Sequence, residues 1–198
     1  MTSEKFLKLL ELESKKLKQK ENIFDIILYG SYVKGKRKPN DIDIMIIFNK
    51  TPINQQLELI QKFKERILKT KEYENNKLDI KAINLKELFN KGFLSRQGIL
   101  TSGLSLIDKT FFAEKLGFTA KTLFIYELKN LSNTEKTKFS FALNGRRNEK
   151  GLFKKLNLQK LGKNVFLSPI KNSDLIKEFL EKGKINYESK NILIETYK

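Results

Sequence analysis

Two short runs constrain this chain most. Ile23–Tyr29 (IFDIILY) and Asp41–Phe48 (DIDIMIIF) are dense in Ile and aromatic residues and stop at strand length, with a polar loop between them. Such runs read as buried strands, so the first half of the chain must organise around a sheet. The loop, Ser31–Asn40, opens after Gly30 and contains Gly35, Pro39 and the cations Lys34, Lys36, Arg37 and Lys38. On either side the apolar period changes. Residues 4–20 place Phe6, Leu7, Leu10 and Leu17 among Lys and Glu, the pattern of an amphipathic helix. Thr51-Pro52 reads as an N-cap hydroxyl followed by Pro at the first helical position. The helix it opens is expected to run to about Lys71 and to bury Leu57, Ile60, Phe63 and Ile67. Leu78–Ile83 (LDIKAI) reads as a third strand, Asn84 as the cap of a short helix holding Leu85, Leu88 and Phe89, and 103–108 (GLSLID) as a fourth strand. This order predicts an α+β domain with α/β character: a small mixed sheet with packed helices.

After Gly117 the pattern differs. Leu123–Leu128 is apolar, and Ser132-Asn-Thr-Glu135 is a capping box. It opens a helix that buries Phe139 and Leu143 and stops at Asn144-Gly145. A basic loop, Arg146–Lys150, follows; Val165–Leu167 reads as a strand, Asp174–Lys182 as a helix ended by Gly183, and Ile192–Ile194 as a last strand. The 198 residues suffice for two small cores, so the expected division is 1–117 and 118–198, the second unit being a small basic α+β domain.

The zeros in the composition narrow the chemistry. Without Cys there is no disulfide, thiolate metal site or cysteine nucleophile, and without His there is no imidazole base or His-bearing triad. Carboxylates, hydroxyls, amines and an oxygen-bound metal remain. Lys and Arg number 40 against 23 acidic residues, a net charge of +17 shared by both halves. A field of that sign attracts polyanions such as nucleotides, RNA or DNA; a Lys-rich but merely solvated surface is the plainer alternative. No apolar run approaches the roughly 18–20 residues that span a bilayer, and the N-terminus has no signal-peptide core, so a cytoplasmic protein with no membrane partner is expected.

Within this frame one segment stands out. Side chains alternate along a strand, so Asp41 and Asp43 share one face while Ile42 and Ile44 share the other. Two carboxylates about 7 Å apart on one strand face repel unless a cation lies between them, and a hard divalent cation, Mg²⁺ or Mn²⁺, suits oxygen ligands. Asp79 is a third acid, set between Leu78 and Ile80; in such a run an acid is costly unless it faces a site. Gly30 allows the backbone close to a phosphate, and the Ser31 hydroxyl can donate to it. Lys34, Lys36 and Arg37 add positive charge to the same loop. Together these are the parts of phosphoryl or nucleotidyl transfer, chemistry that rests on positioning and charge neutralisation and requires no His. Each part alone has a structural reading: a turn, a strand cap, a solvated loop.

Gly30-Ser31, nine intervening residues, Asp41-Ile42-Asp43 and a later strand acid, Asp79, together resemble the signature of the DNA polymerase beta-like nucleotidyltransferase superfamily. The Gly35 in the loop is most similar to the minimal nucleotidyltransferase branch. Asn40 stands where many members have Ser. The resemblance implies that Asp41 and Asp43 hold the metal pair and that Gly30 and Ser31 hold the terminal phosphates of a nucleoside triphosphate. Asp79 would ligate a second metal and orient or deprotonate the attacking hydroxyl. The implied reaction is attack on the α-phosphate, with transfer of a nucleoside monophosphate and release of pyrophosphate. Charge favours RNA, such as a tRNA end, as acceptor. The branch also implies a partner protein as an alternative, small hydroxylated molecules ranking last. In the second unit Arg146, Arg147, Lys154 and Lys155, with Phe and Tyr available for stacking, are candidate nucleic-acid contacts. A binding module that keeps the fold without catalysis is the competing reading. A docking or oligomerisation role for 118–198 is a further one.

Overall fold

A computed structural model of the chain describes residues 4–20, 22–34, 41–70, 77–147 and 149–196. The chain divides into two compact units, Met1–Leu116 and Gly117–Lys198.

The first unit runs α1 (Glu4–Lys20), β1 (Ile23–Tyr29), β2 (Asp41–Phe48), α2 (Ile53–Leu68), β3 (Lys77–Asn84), α3 (Leu85–Leu88), α4 (Arg96–Ser102), β4 (Leu104–Ser105) and α5 (Phe112–Lys115). Its sheet has the order β3-β2-β1-β4. β1 is antiparallel to β2 and β4, and β2 is parallel to β3, so the sheet is mixed. Alternation along the strands sorts the apolar residues into two cores. Ile26, Leu28, Ile42, Ile44, Ile46 and Phe48 pack against Phe6, Leu10 and Leu17 of α1 and Leu59, Phe63 and Ile67 of α2. Ile27, Tyr29, Met45 and Ile47 on the opposite face meet Leu88 of α3, Ile99 of α4 and Phe112 of α5. Each fully buried Ile or Phe contributes roughly 1.5–3 kcal/mol, and this two-sided burial is what dense runs without a polar face require.

Some expectations shift. The helix after Thr51 begins one residue later, with Pro52 as its N-cap; Thr51 instead donates its backbone N–H to Asn84 Oδ1 at 2.7 Å. Its buried stripe is Gln56, Leu59, Phe63 and Ile67, and Leu57 is exposed. The buried Gln56 donates its Nε2 to the Thr51 carbonyl at 2.8 Å, while its Oε1 finds no hydrogen-bond partner among the described residues. Asn84 does open α3 through a capping box with Glu87. The fourth strand shrinks to Leu104–Ser105 because the chain turns at once through 106–108.

The second unit runs β5 (Phe118–Glu127), α6 (Asn133–Asn144), β6 (Gly145–Arg146), β7 (Glu149–Lys150), α7 (Leu152–Lys155), β8 (Gln159–Gly162), β9 (Val165–Pro169), a 3₁₀ turn (Ile170–Asn172), α8 (Ser173–Lys182) and β10 (Asn186–Glu195). Its antiparallel sheet has the order β10-β5-β9-β8, and the unit is α+β. The capping box holds: Ser132 Oγ accepts from the Glu135 N–H, and the Glu135 carboxylate accepts from the Ser132 N–H. The last strand is far longer than its apolar centre, pairing with β5 from Glu195↔Phe118 to Asn186↔Glu127. Phe124, Phe139, Phe153, Phe166 and Phe179 pack ring against ring in the core beneath α6 and α8. Among the described residues no helix is long and apolar enough to cross a membrane.

Candidate functional site

The strand register builds the site. Tyr29 at the end of β1 stands opposite Asp43 of β2, and Asp43 stands opposite Asp79 of β3. Paired residues project to the same side, so Tyr29, Asp43 and Asp79 form a row across three strands spaced about 4.8 Å apart. Asp41, two residues before Asp43, lies on the same face at the next level, opposite Lys77. Ile42 and Ile44 point the other way into the α1–α2 core and are fully buried. This is the alternation expected from the sequence, and it leaves Asp41 and Asp43 half-buried at the sheet's edge of solvent.

Gly30 closes the row. Its φ is +80°, and a Cβ built on it would lie 2.1 Å from Asp43 Oδ2. Both facts demand glycine: the left-handed conformation is strained for any L side chain, and the carboxylate fills the space a side chain would need. Ser31 and Lys34 occupy the turn that follows, both half-buried, and Val33 anchors that turn in the core. Lys36 and Arg37 lie outside the described residues, as do Gly35 and Asn40.

The electrostatics follow from crowding. Asp43 is held above the ordinary carboxylate range, first by burial and then by the charges of Asp41 and Asp79, with Lys81 pulling in the opposite direction. Lys81 enters as a fourth member. It follows Asp79 by two residues on β3, so it projects to the same face, and its Nζ lies 2.8 Å from Asp79 Oδ2. That bond, outweighing partial burial, raises the ammonium above the ordinary lysine range, with Asp79, Tyr29 and Asp43 adding to the rise. The Tyr29 phenol is also held up, chiefly by burial, with the Lys81 charge pulling it the other way. Sequence reading overlooked Lys81 and Tyr29, yet both had a signal. An Asp-x-Lys on a strand shares a face, and a Tyr beside the Gly of a Gly-Ser turn comes level with the facing strand's acids.

The donors are carboxylate oxygens, which suit a hard divalent cation, and the missing Cβ of Gly30 leaves the room that Asp43 Oδ2 occupies. The residues fit such an ion in kind. They are not arranged around a single point: among the described residues no three acidic groups are grouped as a metal cage, and Asp79 is engaged by Lys81.

The cations singled out in the second unit sit together on the β6–β7 hairpin and α7. Arg146, Arg147, Lys154 and Lys155 are all exposed. Arg146 lies over the Phe141 ring, 4.9 Å from its centroid, and Arg147 holds the turn at φ 52°. The aromatic residues expected to stack on bases are instead mostly committed to the core, where Phe124, Tyr126, Phe139, Phe153, Phe166 and Tyr187 contact one another. Phe141, already faced by Arg146, is the large hydrophobic ring exposed beside these cations.

Residues 13–109, just under half of the chain, match the polymerase beta, nucleotidyltransferase family. The matched span contains Gly30, Ser31, Asp41, Asp43 and Asp79. Comparison with curated proteins gives no match.

Proposed function

From the nucleotidyltransferase-superfamily domain present over residues 13–109, we propose that the chain transfers a nucleoside monophosphate from a nucleoside triphosphate to a hydroxyl acceptor. The observation that supports this best is the register that levels Asp43 with Asp79 while Gly30 lies against Asp43 Oδ2. Asp41 and Asp43 would hold Mg²⁺ or Mn²⁺, with Asp79 joining them. When bound, such an ion neutralises the phosphate charge and polarises the reacting phosphoryl group.

The chain's own residues do the rest. Gly30 permits the phosphates to approach the backbone, and the Ser31 hydroxyl and the Lys34 ammonium donate to their oxygens. Asp79 orients the acceptor hydroxyl and takes its proton as the new oxygen–phosphorus bond forms. The bond between the α-phosphorus and its bridging oxygen breaks, and pyrophosphate leaves with the electron pair. The +17 charge and the exposed Arg146, Arg147, Lys154 and Lys155 favour RNA, such as a tRNA end, as the acceptor.

One observation favours a second reading, a binding module without catalysis. The Lys81–Asp79 ion pair occupies a carboxylate that the reaction needs. Incubation with each α-labelled nucleoside triphosphate, Mg²⁺ and total RNA separates the two. Transfer of label by the wild-type chain and its loss in the Asp41→Asn, Asp43→Asn double variant supports the enzyme. Salt-dependent RNA binding with no transfer by either protein supports the module.

A further inference from the structure

Three acids crowd one end of the sheet, and the groups around them are unequal. Asp43 is flanked by Asp41 on its own strand and Asp79 on the next, both like-charged. The cation among them belongs to the same strand as Asp79: Lys81 Nζ contacts Asp79 Oδ2 at 2.8 Å, and its field reaches Asp43 and Tyr29. The contact is not locked. The Lys81 side chain is 55% exposed and that of Asp79 35%, so the ammonium can leave the carboxylate for water at little cost. Its backbone position is fixed opposite Met45, which is fully buried, so a released ammonium stays tethered beside the row.

We propose that Lys81 is the resident counter-ion of this acid row and that a divalent cation must displace it from Asp79 to bind. The inference rests on the metal-dependent reading above. A carboxylate oxygen that accepts an ammonium at hydrogen-bond distance has to give up that bond before it serves a divalent ion, so the two cations compete for Asp79. Lys81 is thus a positioning residue. It holds one Asp79 oxygen at 2.8 Å, and it sets the ion concentration at which the row fills. A triphosphate that brings its own negative charge offers the displaced ammonium a new partner, which makes loading with ion and nucleotide together easier than loading with the ion alone.

The test is direct titration of Mn²⁺ alone, followed by the paramagnetic resonance of free Mn²⁺, on the wild-type chain, Lys81→Met, Lys81→Gln, Lys77→Met and Asp43→Asn. Lys77 lies on the same strand as Lys81, opposite Asp41 of β2, and controls for the mere loss of a nearby positive charge. Melting in EDTA verifies that each variant folds. The expected result is Mn²⁺ binding roughly three- to fivefold tighter in both Lys81 variants, with a change of less than about twofold in Lys77→Met. Equal tightening in the Lys77 and Lys81 variants, or none in either Lys81 variant, overturns the counter-ion role while leaving the metal site standing. If wild-type and Lys81→Met chains both fail to bind Mn²⁺, or Asp43→Asn binds as well as wild type, the metal site itself falls and the inference with it.

Discussion

Asp25 and Asp43 sit on neighbouring strands and face the same side of one sheet, yet their surroundings are opposite. Asp25 is completely buried and partnered on both oxygens. Its carboxylate accepts from the Ser105 hydroxyl at 2.8 Å, from the Ile26 N–H at 2.8 Å and from the Lys115 ammonium. Lys115 also reaches Asp108 at 2.5 Å; burial pulls its ammonium down, but the bonds to Asp108 and Asp25 outweigh that and hold it above the ordinary lysine range. Asp43 is half-buried, stands among like charges and is pushed towards protonation. A buried charge with both carboxylate oxygens partnered holds elements together, here tying β1 to β4 and α5. A carboxylate kept in unfavourable company is one the fold does not need, and such groups concentrate where a ligand supplies the missing partner. Two acids in apolar runs that look alike in sequence therefore divide into a structural clasp and a candidate site.

The sharpest way to break this contrast is to neutralise each acid in turn. Asp43→Asn is expected to lower kcat/KM for label transfer on the order of 10³-fold with the melting transition intact. Retention of more than a tenth of the activity would place the chemistry elsewhere. Asp25→Ala should do the reverse. It strands Lys115 beside an apolar face, although Asp108 remains as a partner, so the expected loss is about 3 kcal/mol in denaturant unfolding of the first unit, at the low end for a broken buried pair. A loss below about 1 kcal/mol would mean that the Asp25 network is incidental.

Gly30→Ala probes the junction between fold and site. The left-handed backbone costs roughly 1–2 kcal/mol for any L side chain, and the added methyl group must also push the Asp43 carboxylate aside. Transfer activity should fall further than stability does if, as proposed, the displaced carboxylate is one that holds the metal ion. Equal losses in the two measurements would reduce Gly30 to a turn residue. Activity is compared at a protein concentration corrected for the folded fraction.

The sequence made one half of this contrast readable. The strand run DIDIMIIF, its two-residue period and the Gly-Ser before it locate Asp41 and Asp43 on a common face without coordinates, and the register with β3 brings in Asp79 where an acid in an apolar run suggested it. Asp25 left no comparable trace, because its partners Ser105 and Lys115 lie 80 and 90 residues away and no local period links them. Long-range pairing also hid the extent of β10, whose polar residues from Asn186 to Asn191 become a strand because β5 offers a continuous edge. Helix α2 shows the local limit: Leu57 and Leu59 compete for one stripe, and the Thr51–Gln56 hydrogen bond turns the helix towards the second.

The smallest effect is the most diagnostic, since it has the sign opposite to that of an ordinary destabilising mutation. Burial and the charges of Asp41 and Asp79 raise Asp43 in the folded chain above its unfolded value, so folding takes up protons at this group. The stability it contributes is complete below the unfolded aspartate range, near pH 3.9, and is lost as pH rises through the higher folded value. At neutral pH in EDTA the Asp43 charge therefore weakens the fold, and Asp43→Asn should melt at or above the wild-type temperature, by on the order of 1 °C. The difference should vanish in acid below pH 4, and Mn²⁺ at neutral pH should reverse it by stabilising the wild-type chain alone. A variant that melts lower than wild type at pH 7 in EDTA would show that Asp43, like Asp25, is held by the fold rather than held ready for a ligand.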